Sequence, residues 1–240
     1  VIGHPTDSTK GIRFGLSTEG AFHPIETNAD SVVENTIANI SLYGEFHLLQ
    51  NNVLDRPPSF KGIVIQNSNF SAVLRNTLYS INVSDSYSDM NLRGITTSSP
   101  VSIYNNMISM SLKDTTTNYD DCAGIHVELS APGNVSLYYN TVYLAGKVLE
   151  YKKSMCVWRT SWDVSTLTVK DNIFHNEMYG PGNTTVIQMG TMANFTSDYN
   201  DFYSTRPDSL CSINDGASRM NFVAWKTATG QDAHSSSVAA

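Results

Sequence analysis

The stretch VSLYYNTVYL at 135–144 decides the fold of this chain, because closely similar stretches lie before and after it. VSIYNNMI occupies 101–108 and LTVKDNIF occupies 167–174, and each places an asparagine between apolar residues. With the asparagines aligned, successive copies are on average about 33 residues apart, which indicates a repeat architecture. The aligned residues are Asn35, Asn76, Asn106, Asn140, Asn172 and Asn200.

The neighbours of these asparagines repeat as well. An apolar residue lies two positions after each asparagine and three positions before the first five, whereas the sixth copy has Ser197. A second short phrase precedes each copy, and we expect it to form the first strand of each unit. It reads GIRF at 11–14, GIVI at 62–65, GITT at 94–97 and GIHV at 124–127, with weaker copies CVWR at 156–159 and VIQM at 186–189.

These segments are four to six residues long and alternate with period two, whereas helical repeats need longer amphipathic segments. Short strands at a fixed long period predict an all-β chain, folded as a right-handed parallel β-helix of about six to seven rungs. We expect the rungs to fill residues 1–211. Residues 212–240 leave the repeat, and we expect them to form a C-terminal cap, with a helix at 221–228 ended by Gly230. The N-terminal end then remains free to stack on a neighbouring subunit or domain.

The asparagines mark the corner where each rung bends. Asparagine tolerates the left-handed backbone conformation, and its amide can bond to the backbone or to the equivalent residue in the next rung. We therefore predict a structural ladder and no catalytic role for these residues.

Composition excludes two classes of partner. The net charge is −7 and the 15 lysines and arginines are scattered, which argues against nucleic acid, since binding it requires clustered cations. No apolar run approaches the length of a membrane span, so we expect no membrane insertion.

Three cysteines are present, and none has the spacing of a zinc site, so we expect no cofactor. Cys122 and Cys156 are 34 residues apart, close to one rung, and each precedes a first strand. Adjacent rungs are about 4.8 Å apart, which is within reach of a disulfide. The spacing predicts that they are neighbours that can be bridged in a secreted protein, leaving Cys211 free.

The phrases NVSLYYNTVYL and TLTVKDNIF and the C-terminal pattern Trp225, Thr229, Gly230, Asp232 and Ser235 resemble right-handed parallel β-helix repeat proteins of bacteria, especially Bacteroidota. The resemblance covers roughly residues 11–240 and implies a secreted or surface-exposed chain that is part of a larger protein. It is weak for activity, because this fold carries lyases, hydrolases, epimerases, adhesins and inert spacers.

A binding site is predicted on the outward face of the first strands. Because Ile125 and Val127 of GIHV point inward, the alternating side chains point outward and align with those of neighbouring rungs. A tryptophan ring with polar neighbours can hold a sugar, although a solvated sheet face fits the same pattern. The predicted binding residues are His126, Glu128, Trp158, Arg159 and Gln188.

An enzyme is the rival interpretation. NYDDCAGI at 118–125 resembles the Asp-Asp-Cys segment of polygalacturonase-type hydrolases, which makes Asp120 and Asp121 candidate acid–base residues, but that family's other motifs are missing. A polysaccharide lyase would use a basic residue near carboxylates that hold Ca²⁺. The preferred function is a structural, adhesive or glycan-binding module, with a polysaccharide or neighbouring subunits as partners. The twelve tyrosines can stiffen the solenoid or form an aromatic strip for glycans.

Overall fold

The computed structural model describes the backbone of residues 13–16, 21–27, 31–33, 36–38, 41–43, 59–65, 71–74, 77–84, 90–112, 119–148 and 150–239. It describes the side chains of residues 93–111, 121–148 and 150–238. Asn35 and Asn76 lie outside the described residues.

The strands form three sheets that run along one common axis, and successive coils stack along that axis. Sheet A has the order β1-β2-β6-β9-β12-β15-β18-β21-β22. Its strands are β1 (Arg13–Leu16), β2 (Ala21–Thr27), β6 (Ser59–Ile65), β9 (Met90–Thr97), β12 (Tyr119–Val127), β15 (Lys153–Arg159), β18 (Asn183–Met189), β21 (Cys211–Ile213) and β22 (Ser218–Met220). Neighbouring strands of sheet A are parallel except in the pairs β1–β2 and β21–β22.

Sheets B and C are parallel throughout their described strands. Sheet B contains β3 (Ser31–Val33), β7 (Ser71–Leu74), β10 (Val101–Tyr104), β13 (Asn134–Tyr138), β16 (Thr166–Lys170) and β19 (Phe195–Asp198). Sheet C contains β4 (Thr36–Ala38), β5 (Ser41–Tyr43), β8 (Thr77–Ser84), β11 (Met107–Leu112), β14 (Thr141–Lys147), β17 (Ile173–Tyr179), β20 (Asp201–Ser204) and β23 (Ser236–Ala239).

The chain is therefore an all-β parallel β-solenoid, as the repeat predicts. Its length is about four turns, fewer than the six to seven rungs expected. The four turns whose side chains are described are formed by β9–β11, β12–β14, β15–β17 and β18–β20. Towards the N-terminus the three sheets continue through further strands. Three of these, β3, β4 and β5, are only three residues long.

The first repeat begins later than its phrase suggests. GIRF at 11–14 was expected to form a first strand, but β1 starts at Arg13 and runs antiparallel to β2. The strand that stacks on β6 is β2. The phrase therefore opens a hairpin at the edge of sheet A, and the repeating first strand comes eight residues further on.

The core is built from the apolar positions that flank the asparagines. Ile103, Leu137 and Val169 align in sheet B and are fully buried. Two positions after each asparagine, Val142 and Phe174 align in sheet C and are equally buried. Full burial of one such side chain contributes about 1.5–3 kcal/mol, so the repeat supplies the main stabilising term on every turn.

The described asparagines form the predicted ladder at the corner between sheets B and C. Asn106 Nδ2 donates to Asn140 Oδ1 at 2.9 Å, Asn140 to Asn172 at 3.0 Å, and Asn172 to Asn200 at 3.0 Å. The same oxygens accept the backbone N–H of the preceding asparagine, at 3.1, 2.9 and 3.0 Å. Each amide is thus bonded on both sides in the interior.

We expected the ladder asparagine to adopt the left-handed conformation at this corner. The structure places the residue before it in that conformation instead. Asn105, Tyr139, Asp171 and Tyr199 have φ between 54° and 58°. Three of these four side chains are not asparagine, and all four are exposed. The left-handed residue turns its side chain to solvent, so that the next residue can turn its amide inward.

The C-terminal segment covers the last coil. Helix α1 (Phe222–Thr229) begins at Asn221, whose Oδ1 accepts the N–H of Ala224, and ends at Gly230 with φ 67°. Trp225 is fully buried and packs edge-on against Phe195, with 6.1 Å between ring centroids. The predicted helix and its glycine cap are confirmed. A 3₁₀ turn (Pro207–Ser209) precedes β21.

Ser197, which replaces the apolar residue three positions before Asn200, is bonded to the same C-terminal segment. Ser197 Oγ donates to Asp232 Oδ1 at 2.8 Å, and the N–H of Asp232 donates to the carbonyl of Ser197 at 2.8 Å. Asp232 also accepts the indole N–H of Trp225 at 2.7 Å. In place of apolar packing, Ser197 is hydrogen-bonded to the segment that follows α1 and leads into β23, which pairs with β20.

The predicted disulfide is absent, since Cys122, Cys156 and Cys211 are all buried free thiols. The strand register pairs Cys122 with Ser154, which leaves Cys156 two residues further along β15. The local coil is therefore two residues shorter than the spacing of these cysteines. Burial, opposed in part by Arg93, raises the pKa of Cys122 to about 12.

No helix in the described part of the chain is long and apolar enough to cross a membrane.

Candidate functional site

One polar residue from each of five neighbouring strands lines up across the outer face of sheet A. The strand registers align Thr96 with His126, His126 with Trp158, Trp158 with Gln188, and Gln188 with Ser212. We call these five residues the polar row. Three of them were predicted as binding residues, and the structure brings those three together as expected.

Two rings and a cation form the centre of the row. The rings of His126 and Trp158 stack, with 4.3 Å between centroids and 23° between planes. The guanidinium carbon of Arg93, from β9, lies 4.6 Å from the centroid of the tryptophan ring, within cation–π range. Arg93 Nη1 also donates to the carbonyl of Asp121 at 2.6 Å, which fixes the guanidinium in place.

The row is rich in buried hydrogen-bonding atoms that are not used. Thr96 Oγ1, Trp158 Nε1, Gln188 Nε2 and Ser212 Oγ are buried and have no hydrogen-bond partner among the described residues. Thr185 Oγ1, three residues before Gln188 on β18 and outside the row, is also buried without a partner. A buried polar group that makes no hydrogen bond costs about 1–3 kcal/mol. Four such groups in one row of a sheet therefore require an explanation.

The row is less accessible than a solvated sheet face. Gln188 is 1% exposed, and Trp158 is half-buried. The turn at 214–216 lies against it: a Cβ on Gly216 would be 3.1 Å from Gln188 Oε1, and Lys153 Nζ donates to the carbonyl of Asp215 at 3.3 Å. The side chains point away from the core as expected, but this turn covers part of them.

Arg159, predicted beside the row, belongs to the interior. It aligns with Val127 and Met189, which face the core, and it is fully buried. Its Nε donates to Asp163 Oδ1 at 2.8 Å, and its Nη2 and Nη1 donate to carbonyls in the two following corners. An arginine this fully engaged is a structural residue of the corner after β15.

The remaining predicted residues are Glu128 and the aspartate pair Asp120 and Asp121. Glu128 follows β12, is half-buried, and has its Oε2 3.9 Å from Nδ1 of His126. Asp121 is half-buried on β12 opposite Lys153, and the side chain of Asp120 lies outside the described residues. Catalysis by the aspartate pair stays a prediction.

Within the described residues, no three His, Cys, Asp or Glu side chains are grouped as metal ligands. Binding of Ca²⁺, expected only for a lyase, stays a prediction.

A second cluster lies on the outer face of sheet C. Tyr143, His175 and Tyr203 align on β14, β17 and β20. The phenol of Tyr143 donates to Glu177 Oε2 at 2.6 Å, and His175 Nε2 lies 3.0 Å from Glu177 Oε1. The tyrosines were recognised from the sequence, whereas His175 and Glu177 were missed. The signal was available, because the aligned residues each lie three positions after a ladder asparagine.

This cluster is satisfied by its own hydrogen bonds. The hydrogen bond to Glu177 is the main cause that raises the pKa of Tyr143 to about 12. The phenol therefore stays protonated at neutral pH and cannot serve as a general base. Glu177 Oε2 accepts from Tyr143 and its Oε1 lies within hydrogen-bond distance of His175 Nε2, so the polar groups of this cluster are paired with one another.

The corner between sheets B and C widens into a groove near the cap. Its volume is about 390 Å³, and its lining includes Asp171, Ile173, Tyr199, Asp201 and His234. The rings of Tyr199 and His234 stack 4.8 Å apart with 6° between their planes. His234 Nδ1 lies 2.8 Å from Asp198 Oδ2, which holds the imidazole at the groove.

Comparison with protein-family models, with curated proteins and with solved structures found no match for this chain. The parallel β-solenoid is therefore established by its own strand pairing, and the function is argued from the chain's own surfaces.

Proposed function

We propose that this chain is a non-catalytic glycan-binding module of a secreted or cell-surface protein, and that the polar row is its binding site. The observation that carries the proposal is the line of unpartnered buried polar atoms on the outer face of sheet A. Native proteins pair nearly all such groups, so a row of them at one level of the sheet favours an occupant that supplies the missing bonds.

The chemistry of the row suits a sugar chain. Trp158 and Gln188 contribute N–H donors, whereas Thr96 and Ser212 contribute hydroxyls that both donate and accept. Glycan hydroxyl and ring oxygens can accept or donate in turn, and the apolar face of a sugar ring can rest on the half-buried tryptophan. The strands lie about 4.8 Å apart, so a chain bound along the solenoid axis meets one side chain per strand.

Binding requires the covering turn to give way. Asn214 and Asp215 have φ of 54°, and Gly216 has φ of 90°, so three consecutive residues adopt the left-handed region. Asparagine, aspartate and glycine adopt this region more readily than other residues, and the bond from Lys153 Nζ to the carbonyl of Asp215 holds the turn against the sheet. We expect a bound glycan to take the place of this turn above Gln188.

A carbohydrate-active enzyme is the alternative, and one experiment separates the two. Purified protein is tested against a panel of neutral and acidic polysaccharides by affinity electrophoresis, and each mixture is assayed for new reducing ends and for the ultraviolet absorbance of lyase products. Retention without product supports the module; product formation supports the enzyme; and neither retention nor product contradicts both.

The site is tested with two tryptophan variants. Trp158→Ala should lower affinity about tenfold or more, because it removes the stacking ring and one donor. Trp162→Ala is the matched control, since Trp162 is 60% exposed and lies outside the row. Equal affinity of the two variants would place the glycan elsewhere on the chain.

A further inference from the structure

A second surface lies across the solenoid from the polar row. It begins at the corner groove and continues over sheet C, because Ile173 and Asp201 line the groove and the outward residues two positions later are His175 and Tyr203. Two positions along a strand return to the same face, so groove and sheet form one continuous surface. We call it the corner surface.

Exposed rings give this surface its capacity to bind. Tyr199 is 53% exposed and stacks on His234, which is held in place by Asp198. Next to them Ile173 is 50% exposed. A ring of fixed orientation beside an open groove is suited to stacking on a sugar ring, with little loss of side-chain freedom on binding.

The charges of the corner surface select the ligand. Asp171 and Asp201 are exposed at the groove, and Asp201 Oδ1 accepts from the neutral hydroxyl of Ser236 at 2.8 Å. The imidazoles of His175 and His234 each lie against a carboxylate. A polyanion meets like charge here, whereas an ammonium group finds both carboxylates and aromatic faces.

We propose that the corner surface is a second binding site, for a glycan that carries free amino groups, such as a glucosamine oligomer. The sugar ring stacks on Tyr199, and the ammonium group lies between the carboxylates of Asp171 and Asp201. This site does not depend on the polar row, and each can be present without the other.

The test compares two ligands that differ only at the amine. Glucosamine oligomers and their N-acetylated counterparts of equal length are titrated into the intact chain by calorimetry at neutral pH. We expect the free amine to bind about tenfold more tightly, because only the ammonium group can make charge-assisted hydrogen bonds to the two carboxylates. Equal affinities would overturn the assignment to an amine, and no binding of either ligand would overturn the site.

Variants distinguish this site from general attraction to an acidic protein. Tyr199→Asn removes the ring while keeping a residue that tolerates the left-handed corner, and Tyr139→Asn makes the same change at an equivalent corner outside the groove. Asp201→Asn is matched by Asp208→Asn, an exposed aspartate at the 3₁₀ turn. We expect the groove variants to lose about five- to tenfold in affinity and the controls to lose none. Equal losses in both sets would overturn the proposal.

Discussion

Two lines of polar side chains run along this solenoid, one residue per coil, and they differ in how their hydrogen bonds are used. In the asparagine ladder each described amide gives and accepts bonds inside the corner between sheets B and C. In the polar row four residues hold buried atoms that have no partner among the described residues. The hydrogen bonds of the ladder are made within the fold, whereas the polar row, in the function we propose, offers its unpartnered atoms to a ligand. Repetition alone does not distinguish the two uses.

The largest expected effect tests whether Arg159 belongs with the satisfied groups. Arg159→Ala leaves the carboxylate of Asp163 buried without its cation, and breaking a buried pair in this way costs about 3–5 kcal/mol. Chemical denaturation should show this loss, and Trp158→Ala provides the comparison on the neighbouring outward position. A variant of Arg159 that keeps its stability but loses glycan binding would return the arginine to the binding site.

The next effect tests the ladder itself. Asn140→Ala removes the acceptor for Asn106 and the donor to Asn172, and we expect a loss of about 1–3 kcal/mol. Asn134→Ala, at the exposed start of β13, is the control and should change stability by no more than about 0.5 kcal/mol. Superimposable melting curves for Asn140→Ala and the unmodified chain would remove the distinction between ladder and row.

The polar row should respond in the opposite direction. Thr96→Val replaces an unpartnered hydroxyl by a methyl group of similar size, so we expect stability to stay the same or to rise by up to about 1 kcal/mol. Glycan affinity should fall in the same variant. A marked loss of stability would show that the hydroxyl already has a partner in the folded chain, and the row would then be structural like the ladder.

The smallest effect comes from an exposed pair and sets a baseline for both lines. Partial burial raises the pKa of Asp198, but hydrogen bonds from His234 and from the backbone outweigh it and lower the pKa overall. The contribution is therefore present above the ordinary aspartate pKa of about 3.9 and is lost as the pH falls through the lower folded-state value. Melting temperatures between pH 5 and pH 2 should fall less steeply in His234→Ala than in the unmodified chain. Identical slopes would contradict this pairing.

The thiols give a further check on the strand register. Because the cysteines are buried and free, a thiol reagent should find none of them in the native chain and three after denaturation. One thiol after denaturation would indicate the bridge that the 34-residue spacing suggests, and would require a register shift between β12 and β15.

The sequence predicts those parts of the molecule that repeat. The ladder, the apolar rows beside it and the alignment of His126, Trp158 and Gln188 follow from the spacing of similar phrases. The cover over Gln188 does not, because it comes from the turn at 214–216, which occurs once. Nor does the inward direction of Arg159, since only the neighbouring Asp163 makes a charged residue tolerable at a core position.

The residues on the outer face of sheet C were harder to predict from the repeat. Tyr143, His175 and Tyr203 occupy equivalent positions, yet they differ in residue type and so do not look like a pattern. Their relation appears only when position in the coil is compared and residue identity is set aside.

The ladder also has a direction. Asn106, Asn140 and Asn172 each donate one amide N–H to the asparagine of the next coil towards the C-terminus. Asn200 donates to a carboxylate instead: Asp232 Oδ1 accepts from its Nδ2 at 3.2 Å and from the hydroxyl of Ser235 at 2.7 Å. A carboxylate brings no N–H of its own. At Asp232 the relay of amide hydrogens therefore gives way to an acceptor shared by Ser197, Asn200 and Ser235.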